Sequence, residues 1–172
     1  IGFITRKYSD HLMYSVNFVD GKNEPELLNK ASAIWTREKK DISAEQYEEF
    51  YKQIGAGYDK PLLTLHNKVE GTLSYTNLLF IPESRPFDLF QMDVKSKIKL
   101  YSNRVLITDD SESILPRWLR FVKGIVDTSD VDLNVSREML QHNVTLNKIS
   151  KALKKRVINE LKKLKDKDTE KY

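Results

Sequence analysis

From Leu146 onward the chain places Ile149, Leu153, Val157, Leu161 and Leu164 at steps of three and four, an apolar stripe that only a long helix gathers on one side. A helix of this kind draws its stability from an apolar surface to lie on, and the rest of the chain must supply one. What precedes it mixes short runs of strand character with helical ones. That interleaving predicts an α/β fold: a layered α/β/α sandwich with a mixed sheet, followed by this long C-terminal amphipathic helix. The 172 residues suit about one domain of ~150 residues. We expect residues 1–145 to form the α/β/α part and 146–172 a long basic helix leading toward a following subdomain.

Local patterns fill in the layers. Leu12, Tyr14, Val16 and Phe18 alternate up to Asp20-Gly21, which predicts a half-buried strand, and Ala33-Ile34-Trp35 predicts another. Ser43 and Gln46 make a capping box ahead of Tyr47, Phe50, Tyr51 and Ile54, one helical face closed by Gly55. Leu63 and Leu65, then Leu73, Tyr75, Asn77 and Leu79, predict a hairpin that turns at Glu70-Gly71. Ile98 and Leu100 have one parity and Val105 and Ile107 the other, so a strand through all four needs a bulge or bend near Ser102-Asn103. Asp109, Asp110 and Ser111 can cap a helix through Ile114, Leu115, Trp118, Leu119 and Val122, with Pro116 in its first turn and Gly124 at its end. Ile125-Val126 then suits a short strand, Asp127 to Ser136 a loop, and a helical pattern sets in from about Arg137.

Several chemistries are absent. The longest aliphatic and aromatic run is Leu78-Leu79-Phe80-Ile81, far short of the ~20 residues of a membrane-spanning helix. With no cysteine there is no disulfide frame, thiol nucleophile or thiolate metal site, which fits a reducing, cytoplasmic setting. His11, His66 and His142 stand at no metal-ligand spacing. Gly55-Ala56-Gly57 follows a helix and lacks the Lys-Ser/Thr of a phosphate loop, and there is no Gly-x-Ser-x-Gly elbow. The acids Asp109, Asp110 and Glu112 stand where a helix start favours negative charge. The net charge of +4 is local: Lys148 to Lys165 carries eight basic residues against the single acid Glu160, so the remainder is net acidic. A solvated helix face opposite the apolar stripe accounts for that density. A binding module for nucleic acid or acidic surfaces accounts for it too.

One stretch stands out, Leu133-Asn134-Val135-Ser136-Arg137-Glu138-Met139-Leu140-Gln141. Arg137 sits at a helix start, against the macrodipole, with Asn134 in the entering loop and Gln141 one turn on. Beside exposed backbone N–H groups this polar face suits a phosphate oxygen. A solvated arginine or a surface salt bridge explains the same spacing.

Trp35-Thr36-Arg37, Tyr47-Glu48-Glu49-Phe50-Tyr51, Leu79-Phe80-Ile81-Pro82, Pro86-Phe87-Asp88-Leu89-Phe90, Ile98-Lys99-Leu100-Tyr101, Arg104 to Asp110, Gly124-Ile125-Val126-Asp127 and Leu133 to Gln141 occur in that order. Together they closely resemble the middle domain of the ninety-kilodalton heat-shock chaperone family, and Lys7-Tyr8-Ser9-Asp10-His11 is most similar to its bacterial branch. The resemblance covers nearly the whole chain.

It implies the middle segment of an ATP-dependent, dimeric molecular chaperone, with residues 1–145 as the larger part of that segment. ATP and Mg would be bound by a preceding domain, so the chain alone is expected neither to bind nor to hydrolyse ATP. The residue matching Arg137 reaches the γ-phosphate when the domains close, supported by those matching Asn134 and Gln141. Clients bind at positions matching Trp35, Phe87, Leu89 and Phe90, although Trp35 has an equal reading as a core residue. Leu106, Val131 and Leu133 match the interdomain docking surface. The partners implied are the chain's own N-terminal nucleotide domain and C-terminal dimerisation domain, client proteins and co-chaperones, with no nucleic acid and no membrane; the full-length protein is a homodimer, the fragment a monomer. Two positions depart from the family pattern: Asp132 stands where a proline is usual, and Leu106 where a phenylalanine is.

Overall fold

A computed structural model describes residues 2–21, 24–29, 31–55, 59–86, 89, 97–109, 113–132, 140 and 143–172. The chain opens with helix α1 (Gly2–Ser9) and a two-stranded ribbon, β1 (Asn17–Phe18) with β2 (Glu26–Leu27). Helix α2 (Ala44–Gln53) follows, then strands β3 (Pro61–Val69), β4 (Tyr75–Pro82), β5 (Lys97–Ser102), β6 (Val105–Thr108) and β7 (Lys123–Thr128), and finally helix α3 (Val144–Lys167). The five later strands form one mixed sheet in the order β3-β4-β7-β5-β6, with only the β5–β7 pair parallel. This is the layered α/β architecture expected, ending in the long helix.

The run Leu78 to Ile81 explains why the sheet is covered on both sides. Alternate residues of a strand face opposite ways, so an unbroken apolar strand must be buried on two faces. Leu79 and Ile81 join Ile98, Leu100, Val126 and the α3 residues Leu146, Ile149, Leu153 and Val157 in one core. Leu78 and Phe80 join Trp35, Phe50, Tyr51, Tyr101, Leu106 and Ile125 in the other. The stripe on α3 is thus fully used over its first three turns.

Helix α2 forms as its sequence requires: the Ser43 hydroxyl accepts from Gln46 N, the Gln46 side chain accepts from Ser43 N, and Gly55 follows at φ 69°. The Leu63–Leu79 hairpin is likewise present as β3–β4.

Other expectations are corrected. The parity switch between Leu100 and Val105 is a chain reversal: Asn103 (φ 48°) and Arg104 (φ 68°) make a tight two-residue turn between β5 and β6. Ile107 therefore returns to the same core as Ile98 and Leu100, and a register shift falls at Leu100/Tyr101. Leu12 to Phe18 is strand only at Asn17–Phe18, because the buried Asn29 amide holds the preceding backbone: Val16 N donates to Oδ1 (2.8 Å), and Nδ2 donates to the Tyr14 and Ser9 carbonyls (2.9 and 3.2 Å). Ile34–Thr36 is a 3-10 turn, closed by the Thr36 hydroxyl on the Ala33 carbonyl (2.8 Å). The helix expected through Ile114 to Val122 shrinks to one 3-10 turn, Arg117–Leu119, because Pro116 is extended (ψ 157°) and its ring disfavours a helical residue before it. Trp118 is accordingly exposed, while Ile114, Leu115, Leu119 and Val122 are buried.

Gly124 ends no helix; it lies inside β7, as do Asp127 and Thr128, which were expected in a loop. Its φ of 143° and its closeness to β4 both require glycine, since a Cβ there would stand 2.1 Å from the Leu78 carbonyl oxygen.

Candidate functional site

Two polar networks organise the end of the sheet that leads toward residues 133–141. The first centres on Trp35, which the 3-10 turn and α2 press onto the sheet at 1% exposure. Its indole Nε1 donates to Asp127 Oδ2 (2.8 Å), and the other oxygen of that carboxylate accepts from Arg104 N (3.2 Å) in the β5–β6 turn. His66 Nε2 contacts the Trp35 carbonyl at 2.9 Å. A carbonyl only accepts, so Nε2 carries the proton and Nδ1 is left to accept from the Tyr47 hydroxyl at 2.7 Å. Burial lowers the His66 pKa and the charge of Lys39 adds to this, against the opposing bond to Trp35. His11 packs edge-on to the indole at 4.7 Å and donates from Nδ1 to the Ser32 carbonyl (2.6 Å). Tyr101 and Phe50 complete the aromatic cage at 5.0 and 5.8 Å.

The second network fixes where the chain leaves β7. Thr128 Oγ1 donates to the Ser74 carbonyl (2.8 Å) and accepts from Asp130 N (3.1 Å), while the Asp130 carboxylate accepts from Ser74 N (2.8 Å). Ser102 Oγ then donates to the Val131 carbonyl at 2.6 Å. Val131 (2% exposed) and Leu140 (4%) both sit in the core beneath α3. Just beyond, the Asn143 side chain accepts from Leu146 N (3.0 Å) and starts α3.

Of the residues singled out in the sequence, Asn134, Arg137, Gln141, Leu133, Phe87 and Phe90 lie outside the described residues. Trp35, Leu106 and Val131 are buried in the chain's own cores, so none of them offers a free surface in this conformation. Leu89 is half-buried; its N–H donates to the Pro86 carbonyl (3.1 Å), and its carbonyl accepts from Arg120 Nη2. Asp127 and His66 were not singled out. The signal for Asp127 was a carboxylate closing the apolar run Gly124-Ile125-Val126, and none existed for His66, whose role depends on a partner 31 residues away.

Among the described residues no group of three or more His, Asp or Glu is placed to hold a metal ion, and no helix is long and apolar enough to cross a membrane.

Comparison with known proteins gives the following. Residues 10–172 match the family model described as Hsp90 protein. The chain is 53% identical over 160 residues to the chaperone protein HtpG of Paramagnetospirillum magneticum, a stretch covering 93% of the chain and 26% of that relative. It is 48% identical over 169 residues to the HtpG of Orientia tsutsugamushi and 50% over 171 residues to that of Rickettsia akari, covering 98% of the chain and 27% of the relative in each case. The chain thus spans about a quarter of the length of the curated relatives it matches.

Proposed function

This chain belongs to the Hsp90 protein family, and from that premise we propose that it serves as the middle segment of an ATP-dependent molecular chaperone, contributing an arginine to a nucleotide site on another domain and an apolar surface to unfolded or partly folded clients. The observation that carries this reading is the match through residues 10–172, joined to 48 to 53% identity with proteins named chaperone protein HtpG. In this reading Arg137 is the contributed cation. Its planar, permanently charged fork suits a phosphate oxygen, and delivery from a second domain couples nucleotide binding to domain closure. Asn134 and Gln141 support it. Val131 and Leu140, on either side of Arg137 in the sequence, are both buried in the core beneath α3, which supports the reading, since a charge that must meet a phosphate across a domain boundary needs a well-packed base.

In this reading ATP and Mg are held by the preceding domain. For clients, the reading relies on Leu89 with Phe87 and Phe90; Trp35 joins them only where the chain opens, because its indole is buried and hydrogen-bonded. Leu106, Val131 and Leu133 border the surface that meets the nucleotide domain. The proposed partners are that domain, a C-terminal dimerisation domain, clients and co-chaperones, in the cytoplasm. The test is ATP-dependent suppression of client aggregation by the full-length protein, with and without this segment's loop triad Phe87, Leu89 and Phe90 changed to serine. Protection lost with ATP turnover retained supports the client surface; unchanged protection removes it.

A further inference from the structure

Helix α1, the end of α2 and strands β5 and β6 enclose a cleft of about 210 Å³ on the face opposite α3. Its walls include Phe50, Tyr101 and Leu106, and Lys99 of β5 lines it together with the charged groups Arg6, Lys7, Asp10 and Asp109 and with His11. Lys7 Nζ lies 3.5 Å from the Asp109 carboxylate and pairs with it. The Lys99 ammonium makes no hydrogen bond and no ion pair with any described residue, unlike those of Lys40, Lys68 and Lys163, each exposed and held by a nearby glutamate. Half-buried beside aromatic and aliphatic walls, and next to a second ammonium, it stands in the setting that favours a neutral amine. Burial lowers its pKa, Lys7 adds to the effect, and Asp109 opposes both.

We propose that Lys99 is a site of Nε-acylation by small acyl phosphates, which enter the cleft with their phosphate toward Lys7. The neutral ε-amine attacks the acyl carbon; the C–N bond forms as the C–O bond to phosphate breaks, inorganic phosphate leaves with the electron pair, and the extra proton on nitrogen passes to solvent. The product is a neutral amide. The cleft then loses the Lys99 positive charge while keeping Arg6, Lys7, Asp10 and Asp109, which makes the charge presented next to Leu106 more negative.

The experiment incubates the 172-residue chain with acetyl phosphate at neutral pH and follows acetylation of individual lysines by mass spectrometry. Lys99 is expected to react severalfold faster than Lys40, Lys68 and Lys163 in the folded chain. In concentrated urea its advantage should vanish, because the amine is then solvated like the others. Asp109→Asn, a change at a half-exposed position, removes the charge that holds the proton on Lys99 and should quicken its reaction further. The proposal is overturned if Lys99 in the folded chain reacts no faster than the three exposed lysines, or if its advantage persists unchanged in urea.

Discussion

Trp35 and Asp127, 92 residues apart in the chain, meet in the buried layer under α2 through a 2.8 Å bond from the indole Nε1 to a carboxylate oxygen. Both are nearly closed to solvent, at 1% and 9% exposure. A buried carboxylate is costly unless its oxygens are satisfied, and here one is satisfied by Trp35 and the other by the Arg104 amide. The pair thereby ties the 3-10 turn, β7 and the β5–β6 turn into one unit.

Trp35→Phe keeps most of the apolar contact and removes the donor. The stranded carboxylate should cost about 1–3 kcal/mol. In urea titration the midpoint should fall with the slope unchanged, since the surface exposed on unfolding is the same. Asp127→Asn, which turns one accepting oxygen into a donor facing another donor, should cost at least as much.

His66 gives stability a pH dependence. Its folded pKa lies below the unfolded value of about 6.5, so the unfolded chain binds the proton first as pH falls. Its contribution is complete above that value and is lost progressively as pH drops through it toward the lowered folded pKa. Urea midpoints measured between pH 5 and pH 8 should rise with pH, and His66→Gln should flatten that part of the curve. A variant with the same slope as the parent assigns the dependence to other groups.

Gly124→Ala tests the packing of the central strands. The added methyl meets the Leu78 carbonyl oxygen at 2.1 Å and the Leu79 Cα at 2.8 Å, both backbone atoms that cannot swing aside. With the added strain of a φ of 143° the loss should reach about 3 kcal/mol or more. Circular dichroism and the thermal midpoint are the readouts; a midpoint within a few degrees of the parent would mean that β4 and β7 can part without cost.

What was legible in the sequence depended on how local its cause was. The capping box at Ser43, the β3–β4 hairpin and the α3 stripe each rest on residues within a few positions, and each formed. The segment 12–18 and the helix through Ile114 failed because a distant amide, Asn29, and the extended Pro116 override a pattern that hydrophobicity alone suggests. The Asn103-Arg104 turn was hidden by its composition, since an arginine at φ 68° lacks the glycine that usually marks such a reversal. The buried network of Trp35, Asp127 and His66 joins residues 31 and 92 positions apart, a pairing no short motif can carry.

Arg137 is the residue on which the proposed catalytic role stands or falls, and the full-length protein is needed to test it. If its guanidinium meets the γ-phosphate only in the closed state, Arg137→Ala should lower ATP turnover by at least tenfold, about 1.4 kcal/mol of barrier, with nucleotide affinity nearly unchanged. Arg137→Lys keeps a charge but offers no planar pair of donors, so it should recover little of the loss. Turnover and equilibrium nucleotide binding measured on the same samples separate the cases. A fall in both together would place the arginine in ground-state binding, and equal turnover in all three proteins would leave Arg137 a structural cation and the client surface as this segment's remaining role.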